Sequence, residues 1–229
     1  MINHNEKVSV LISIYNGEPY IKKSLKSILE QSYKNIEVLI IDDGSTDQTS
    51  KICKRYQDND SRIKLFRNET NIGLTKSLNI LLENTTTKYI ARHDIDDISN
   101  KDRIEKQYRH LRENKLDMVY ARATIKNSKK IIPRFSYYAP LKVIVKFKNP
   151  FIHGTMFSKK EVLENINNYD ERFVYSQDYK LITDILRNGN KVQIMKNILY
   201  NLNMENNISR KHKKEQKYFA DCVRKNLAP

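Results

Sequence analysis

Tyr89-Ile90-Ala91-Arg92-His93-Asp94-Ile95-Asp96-Asp97-Ile98-Ser99 is the stretch that decides how this chain folds. An apolar, aromatic run stops at Ala91, and three carboxylates follow between Asp94 and Asp97. From Asn100 onward the sequence reads as a helix start, with Asp102 and Glu105 in the first turn, where acidic side chains complement the helix dipole. The acidic cluster therefore sits where a strand gives way to a loop. Carboxylates crowded this closely repel one another, so the arrangement asks for a cation among them. Hard oxygen ligands suit Mg²⁺ or Mn²⁺, and Mg²⁺ is commonly held by one or two carboxylates together with substrate phosphates. The plain alternative is a solvated acidic turn ahead of the next helix.

Upstream of this stretch, strands and helices alternate. Val8 to Ile14 is rich in β-branched residues and reads as a buried strand. A turn at Tyr15-Asn16-Gly17 follows, then a helix with Pro19 in its first turn and Ile21, Leu25, Ile28 and Leu29 on one face. A second strand, Ile36 to Ile41, runs into Asp42-Asp43-Gly44-Ser45, and Ser45-Thr46-Asp47 offers caps for a helix carrying Ile52 and Cys53. Arg62 to Phe66 reads as a third strand, and Gly73 to Leu82 as a helix with Leu74, Leu78, Leu81 and Leu82 on its apolar side. Strands separated by such helices predict βαβ units and a parallel sheet. Ligands of those sheets bind beyond the carboxyl ends of the strands. Three polar clusters fall at such ends: Ser13 to Asn16, Asp42 to Ser45, and Asp94 to Asp97. Together they describe a pocket with hydrogen-bonding groups, a stacking aromatic and a metal site. No Gly-x-Gly-x-x-Gly follows the first strand and no Gly-x-x-x-x-Gly-Lys occurs, so neither a dinucleotide fingerprint nor a P-loop is supported.

The segments Val8 to Asn16, Ile40 to Asp47 and Asp94 to Asp97 closely resemble the family 2 glycosyltransferases, and Asn71-Ile72-Gly73-Leu74 and Asp102 to Gln107 look like that family too. The likeness runs from about Val8 to about Gly189. It implies an α/β, GT-A (Rossmann-like) fold, with a central, mostly parallel sheet flanked by helices and a small C-terminal helical extension. The expected organisation is a GT-A domain over 1–205, its nucleotide-binding half at about 8–100 and its acceptor half at about 101–205, then a basic helix over 206–229. The resemblance assigns Ser13, Tyr15 and Asp43 to the nucleotide base, where a carboxylate accepts a uracil imide N–H and an aromatic ring stacks. UDP is favoured on that ground. Lys76 matches a position from which a basic side chain approaches the nucleotide. Asp94 to Asp97 corresponds to the DXD element: Asp97 as the direct Mn²⁺ or Mg²⁺ ligand, Asp96 near the ribose or diphosphate, and Asp94 in the same site. Either Asp94-x-Asp96 or Asp94-x-x-Asp97 spacing supplies a working pair.

The second half contributes a base. Asp117 to Tyr120 reads as a strand, Leu141 to Phe147 as a short helix, and Phe151 to Ser158 as a strand entering a helix with Ser158 as its cap. His153 matches a histidine beside the donor site in the family. In Tyr175-Ser176-Gln177-Asp178-Tyr179, Ser176 is placed to cap a helix that stops at Gly189, and Asp178 lies in its first turn. The family usually carries a Glu-Asp pair here, with the Asp as general base. Gln177 in the place of the Glu keeps the base and removes a neighbouring charge, which would slightly lower its basicity. The implied reaction is inverting transfer of a sugar from a nucleotide diphosphate to a hydroxyl of a glycan or lipid-linked acceptor in bacterial surface polysaccharide synthesis. Lys191 to Met195 and Ile198 to Tyr200 read as two short strands. The Tyr-Arg-x-His-like element of the family is reduced here to Tyr200 to Met204 with Ile208-Ser209, and its His is missing.

Composition bounds the alternatives. The 229 residues carry a net charge of +15, which asks for an anionic partner. The densest basic run is Arg210 to Lys217, read either as a solvated helix face or as a peripheral contact with anionic lipid. No apolar run reaches the roughly 20 residues of a membrane span. The polar N-terminus lacks a signal-peptide core, and Cys53 and Cys222 show no metal-ligand spacing. A cytoplasmic protein, peripheral at the inner face of the membrane through its basic C-terminus, is the expectation. A nucleotidyltransferase would need a Gly-rich basic loop near the first strand. A nucleic-acid-binding module explains the charge but not carboxylates at strand ends, so no nucleic acid is expected. A degenerate, donor-binding protein remains the other reading.

Overall fold

The computed structural model describes residues 6–138, 140–205 and 212–229. Its first half is built from β1 (Val8–Ile14), α1 (Ile21–Leu29), β2 (Ile36–Asp42), α2 (Thr49–Asn59), β3 (Ile63–Arg67), α3 (Leu74–Glu83) and β4 (Tyr89–Arg92). After it come β5 (Ile98–Ser99), α4 (Arg103–Glu113), β6 (Met118–Ile125), β7 (Ile131–Ile132), α5 (Leu141–Ile144), a 3-10 turn at His153–Thr155 and β8 (Phe157–Lys159). The chain ends in α6 (Lys160–Glu164), α7 (Gln177–Arg187), β9 (Val192–Leu202) and α8 (Lys213–Lys225).

One sheet runs through the molecule in the order β3-β2-β1-β4-β8-β6-β9-β5, with β7 on β6. β1 lies between β2 and β4 and is parallel to both, and β3 is parallel to β2. The chain thus builds outward from β1 to β3, then returns to lay β4 on the other side. That reversal is the switch point where open α/β sheets leave a crevice at the carboxyl ends. Beyond β4 the sheet is mixed rather than mostly parallel: β8 is antiparallel to β4 and β6, β9 is parallel to β6, and β5 is antiparallel to β9.

The period-two strands feed two cores. Leu11, Leu39, Ile41 and Ile90 face one way and pack with Leu78 and Leu81 of α3 and Ile182 and Ile185 of α7. Val10, Ile12, Val38 and Ile40 face the other way, against Ile21 and Leu25 of α1 and Ile104 and Leu111 of α4. Cys53 and Cys222 are free and buried.

Several expectations are corrected. β9 is one strand rather than two, because β6 gives it a continuous partner and register shifts around Arg122 absorb the irregularity. Ser158 lies inside β8, and its hydroxyl donates to Asp117 O and Lys159 O instead of capping α6. Ser176 precedes α7 in the left-handed region at φ 54, and its hydroxyl reaches Gln216 rather than the helix amides. The helix at Leu141 is regular only to Ile144. Pro19 precedes α1, which starts at Ile21. In the basic run, Arg210 and Lys211 lie outside the described residues, as do Ile208 and Ser209. The helix that follows is not a free appendage: Cys222 and Val223 belong to the main core and Phe219 packs against it, while Tyr218 is exposed.

Val223 is 1% exposed. Truncating it to Ala removes two methyl groups and leaves a cavity, at a cost of about 2 kcal/mol. Val223→Ala is therefore expected to lower the melting temperature by about 4–8 °C in a chain of this size. Leu227→Ala, on an exposed side chain just past the same helix, should leave it nearly unchanged.

Candidate functional site

The loops after β1 and β2 are zipped together by short polar side chains. Asn16 takes the left-handed conformation at φ 50. Its N–H donates to Ser45 Oγ at 2.9 Å, and its Oδ1 accepts from Thr46 N at 2.9 Å. Gly17 N donates to Thr49 Oγ1 at 2.8 Å. Gly44 has φ +70, and a Cβ there would lie 2.5 Å from the Thr70 carbonyl carbon, so only glycine lets the 68–73 loop approach. Asp43 is what that loop closes on. Its Oδ1 accepts from Asn68 Nδ2 at 2.8 Å and Ile72 N at 3.0 Å, and its Oδ2 accepts from Gly73 N at 2.9 Å. Asp43 is itself 2% exposed, and these three bonds use three of the about four acceptor positions that a carboxylate offers. Ser13 is half-buried beside it, Tyr15 stands exposed at the rim, and Lys76 is exposed on the first turn of α3.

The acidic cluster is organised by two buried arginines. Arg92, the last residue of β4, donates from Nη2 to Asp94 Oδ1 at 2.6 Å and from Nη1 to Leu11 O at 3.1 Å. Arg103, from α4, donates to Gly154 O at 2.6 Å and Arg92 O at 2.9 Å, and lies 5.3 Å over the Tyr200 ring. Burial lowers the Arg103 guanidinium to about 10. Tyr200 accepts from Asp94 N at 3.1 Å through its hydroxyl. Asp94 and Asp96 are half-buried and reach the surface, whereas Asp97 turns inward at 1% exposure, its Oδ1 accepting from Asn203 N at 2.6 Å. Burial, then the charge of Asp94, pushes Asp96 up to about 6. Burial together with Asp94 and Asp96 pushes Asp97 up to about 9. Like charges crowded at a half-buried site disfavour one another's ionisation.

Asp178 arrives from the far side of the chain on the first turn of α7. Its Oδ1 accepts from Tyr179 N at 2.8 Å and its Oδ2 from Asn149 Nδ2 at 2.7 Å. Burial is the main cause of a rise to about 6, with the negative charge of Asp94 adding to it. The charge of Asp94, far away in sequence, thus reaches Asp178. The neutral Gln177 adds no charge to this balance, so the carboxyl is more basic than usual in spite of the missing acid. His153 bonds Tyr169 OH through Nε2 at 2.7 Å, and burial beside Arg92 lowers it to about 3, keeping it neutral. Arg92, Arg103, Asn149, Tyr169 and Asn203 were not singled out by sequence reasoning. The readable signal was an arginine immediately ahead of an acidic run.

Among the described residues no group of three or more His, Cys, Asp or Glu side chains could hold a metal by itself. The donor set present fits a different kind of site, in which one or two carboxylates share Mg²⁺ or Mn²⁺ with phosphate oxygens. Asp94 and Asp96 are the carboxylates that reach the surface, and their mutual repulsion is the strain a cation relieves.

Comparisons with known proteins show the family and the fold. A family model described as Glycosyl transferase family 2 matches residues 9–167. The O-antigen biosynthesis glycosyltransferase WbnJ of Escherichia coli is 33% identical over 186 residues, 79% of this chain and 72% of WbnJ. The crystal structure of S. aureus TarS 1-349 in complex with UDP-GlcNAc matches with a TM-score of 0.80 and 21% identity, covering 95% of this chain and 65% of TarS 1-349. The mannosyltransferase PcManGT from Pyrobaculum calidifontis, in complex with GDP-Man and Mn²⁺, matches with a TM-score of 0.75 and 21% identity, over 98% of this chain and 66% of that one. At these identities the structural matches speak for the fold. The chain spans 62% and 61% of the length of two further curated relatives, from Bacillus subtilis and Haemophilus influenzae.

The geometry around Asp178 predicts a titration. In carboxyl-carbon NMR, Asp178 should titrate near 6. Asp94→Asn should move that midpoint downward, since a like charge nearby disfavours ionisation. An Asp178 midpoint unmoved by Asp94→Asn would separate the two groups.

Proposed function

The chain belongs to glycosyl transferase family 2, and from that premise we propose that it moves a sugar, with inversion, from a nucleoside-diphosphate sugar to an acceptor hydroxyl, using Asp178 as the general base. The observation that carries this reading is a carboxyl on the first turn of α7 that Asn149 and Tyr179 N–H hold through both of its oxygens, and whose basicity is raised by burial and by the charge of Asp94. A carboxyl near 6 is mostly ionised at neutral pH yet still basic enough to take a proton as it leaves a hydroxyl.

The donor would lie over the switch point, its base against Tyr15 and its imide N–H directed at the remaining lone pair of Asp43 Oδ2, with Ser13 beside it. Lys76, exposed at the start of α3, is available to the phosphates. Asp94 and Asp96, which reach the surface, are the residues we assign to Mg²⁺ or Mn²⁺ together with Asp97, the ligand the resemblance implies, whose Oδ1 accepts from Asn203 N. When bound, the cation supplies neutralisation of the diphosphate and of the charge that grows on the leaving group. Asp178 accepts the hydroxyl proton as the acceptor oxygen forms its bond to the anomeric carbon and the bond from that carbon to the diphosphate oxygen breaks on the opposite face. Asn149 and Tyr179 N–H hold the carboxylate in place for this. Neutral His153 and Gln177 border the space between donor and acceptor.

A UDP-sugar is the favoured donor, since a carboxylate and an aromatic ring suit a uracil ring and TarS has been crystallised with UDP-GlcNAc. The GDP-Man and Mn²⁺ complex of PcManGT supports the metal assignment and keeps GDP-sugars in the test. The O-antigen role in the name of WbnJ supports an acceptor in bacterial surface polysaccharide.

Three outcomes are expected. Transfer or slow donor hydrolysis should fall as pH drops through about 6, because Asp178 is then protonated. Asp178→Asn should lower kcat by about 10²–10⁴-fold while leaving nucleotide binding intact. In calorimetry against UDP and GDP with and without Mn²⁺, Asp96→Asn should abolish the metal-dependent part of binding. Absence of binding to every nucleotide sugar would overturn the reading.

A further inference from the structure

Between Asp117 and Glu161 the chain carries no acidic residue, while it carries Lys129, Lys130, Arg134, Lys142, Lys146 and Lys148. The end of this segment is a short amphipathic strut. Leu141 and Val145 face the main core, and Tyr179 OH donates to Val145 O at 2.5 Å. The turn continues past α5, with Lys148 N donating to Ile144 O at 3.0 Å. Val143 and Phe147 are thereby placed one turn apart on the outside, 52% and 72% exposed. Lysines 142, 146 and 148 surround them, and Arg224 of α8 reaches Phe147 O at 3.4 Å. Two residues on, Asn149 holds the carboxylate of Asp178.

We propose that this strut docks the protein on an anionic phospholipid bilayer, with Phe147 and Val143 entering the headgroup boundary and the surrounding lysines on lipid phosphates. Cations flanking exposed apolar side chains form an interfacial surface, and each cation near an anionic membrane strengthens binding about fivefold. Charge complementarity alone would equally suit a soluble polyanion. The exposed valine and phenylalanine decide for a bilayer, since neither offers a hydrogen bond to a polymer of phosphates, and both lose water contact in a headgroup layer. Docking itself is independent of the transfer chemistry. Its consequence, that Asp178 is held at the membrane surface to meet an acceptor carried by lipid, rests on the function proposed above.

The test is sedimentation of the full chain with vesicles of equal parts phosphatidylcholine and phosphatidylglycerol, or of phosphatidylcholine alone. The wild type should bind the first and not the second. K142Q/K146Q/K148Q should weaken binding about a hundredfold, from three losses of about fivefold each. V143S/F147S should weaken it tenfold or more, and Phe147→Leu should retain it. K213Q/K214Q/K217Q, on the basic helix α8, should lose less than either. No binding to the anionic vesicles overturns the proposal. So does a larger loss from the α8 variant, or a V143S/F147S variant that binds vesicles and polyphosphate as the wild type does. Because the readout is vesicle binding, its failure leaves the catalytic reading standing, and the reverse also holds.

Discussion

Three carboxylates in four residues, set half inside a protein, form the constraint that the rest of the molecule answers. Two guanidiniums that are themselves buried supply most of the answer: Arg92 binds Asp94 directly, and Arg103 holds the carbonyls of Arg92 and Gly154. Buried arginines are costly unless their donors are used. These spend their Nη groups on carbonyls and a carboxylate, leaving only the two Nε atoms without a partner. The network draws in α4, the 3-10 turn, β9 and the segment after it, since Tyr200 and Asn203 bond to Asp94 and Asp97. The mixed half of the sheet therefore closes over the parallel half through polar groups as much as through its apolar core.

The same chemistry separates the roles of the three acids. Asp97 faces inward, where a protonated or bridged carboxyl costs least, and Asp94 and Asp96 stay where solvent or a ligand reaches them. Asp178 shares the field of Asp94. Its basicity comes chiefly from burial, so a neutral neighbour at Gln177 does not make it a weak base.

Much of this was legible from the residues. Val8 to Ile14 and Ile36 to Ile41 are apolar enough that burial on both faces leaves no other placement, and a turn after each puts its polar end at the crest. The acidic cluster declared itself by composition. What was illegible depends on partners far along the chain. The inward turn of Asp97 needs Asn203, 106 residues away. The unity of β9 needs β6 beside it, because Lys196-Asn197 interrupts the local pattern. Ser158 and Ser176 look like caps in sequence, but a neighbouring strand and helix claim their hydroxyls first. Arg103 had no local signature, since a buried charge is defined only by what surrounds it.

Gly154 shows what such a floor permits. A Cβ there would come within 2.4 Å of Tyr200 OH, which accepts from Asp94 N, and 2.6 Å of Asp94 Oδ2, whose fellow oxygen is bonded to Arg92. A single methyl group is more than the base of the cleft can take, so its shape is closed to variation. Variation meets less resistance at the rim, where side chains such as Tyr15 and Lys76 are exposed. Floor and rim are thus free to change at very different rates.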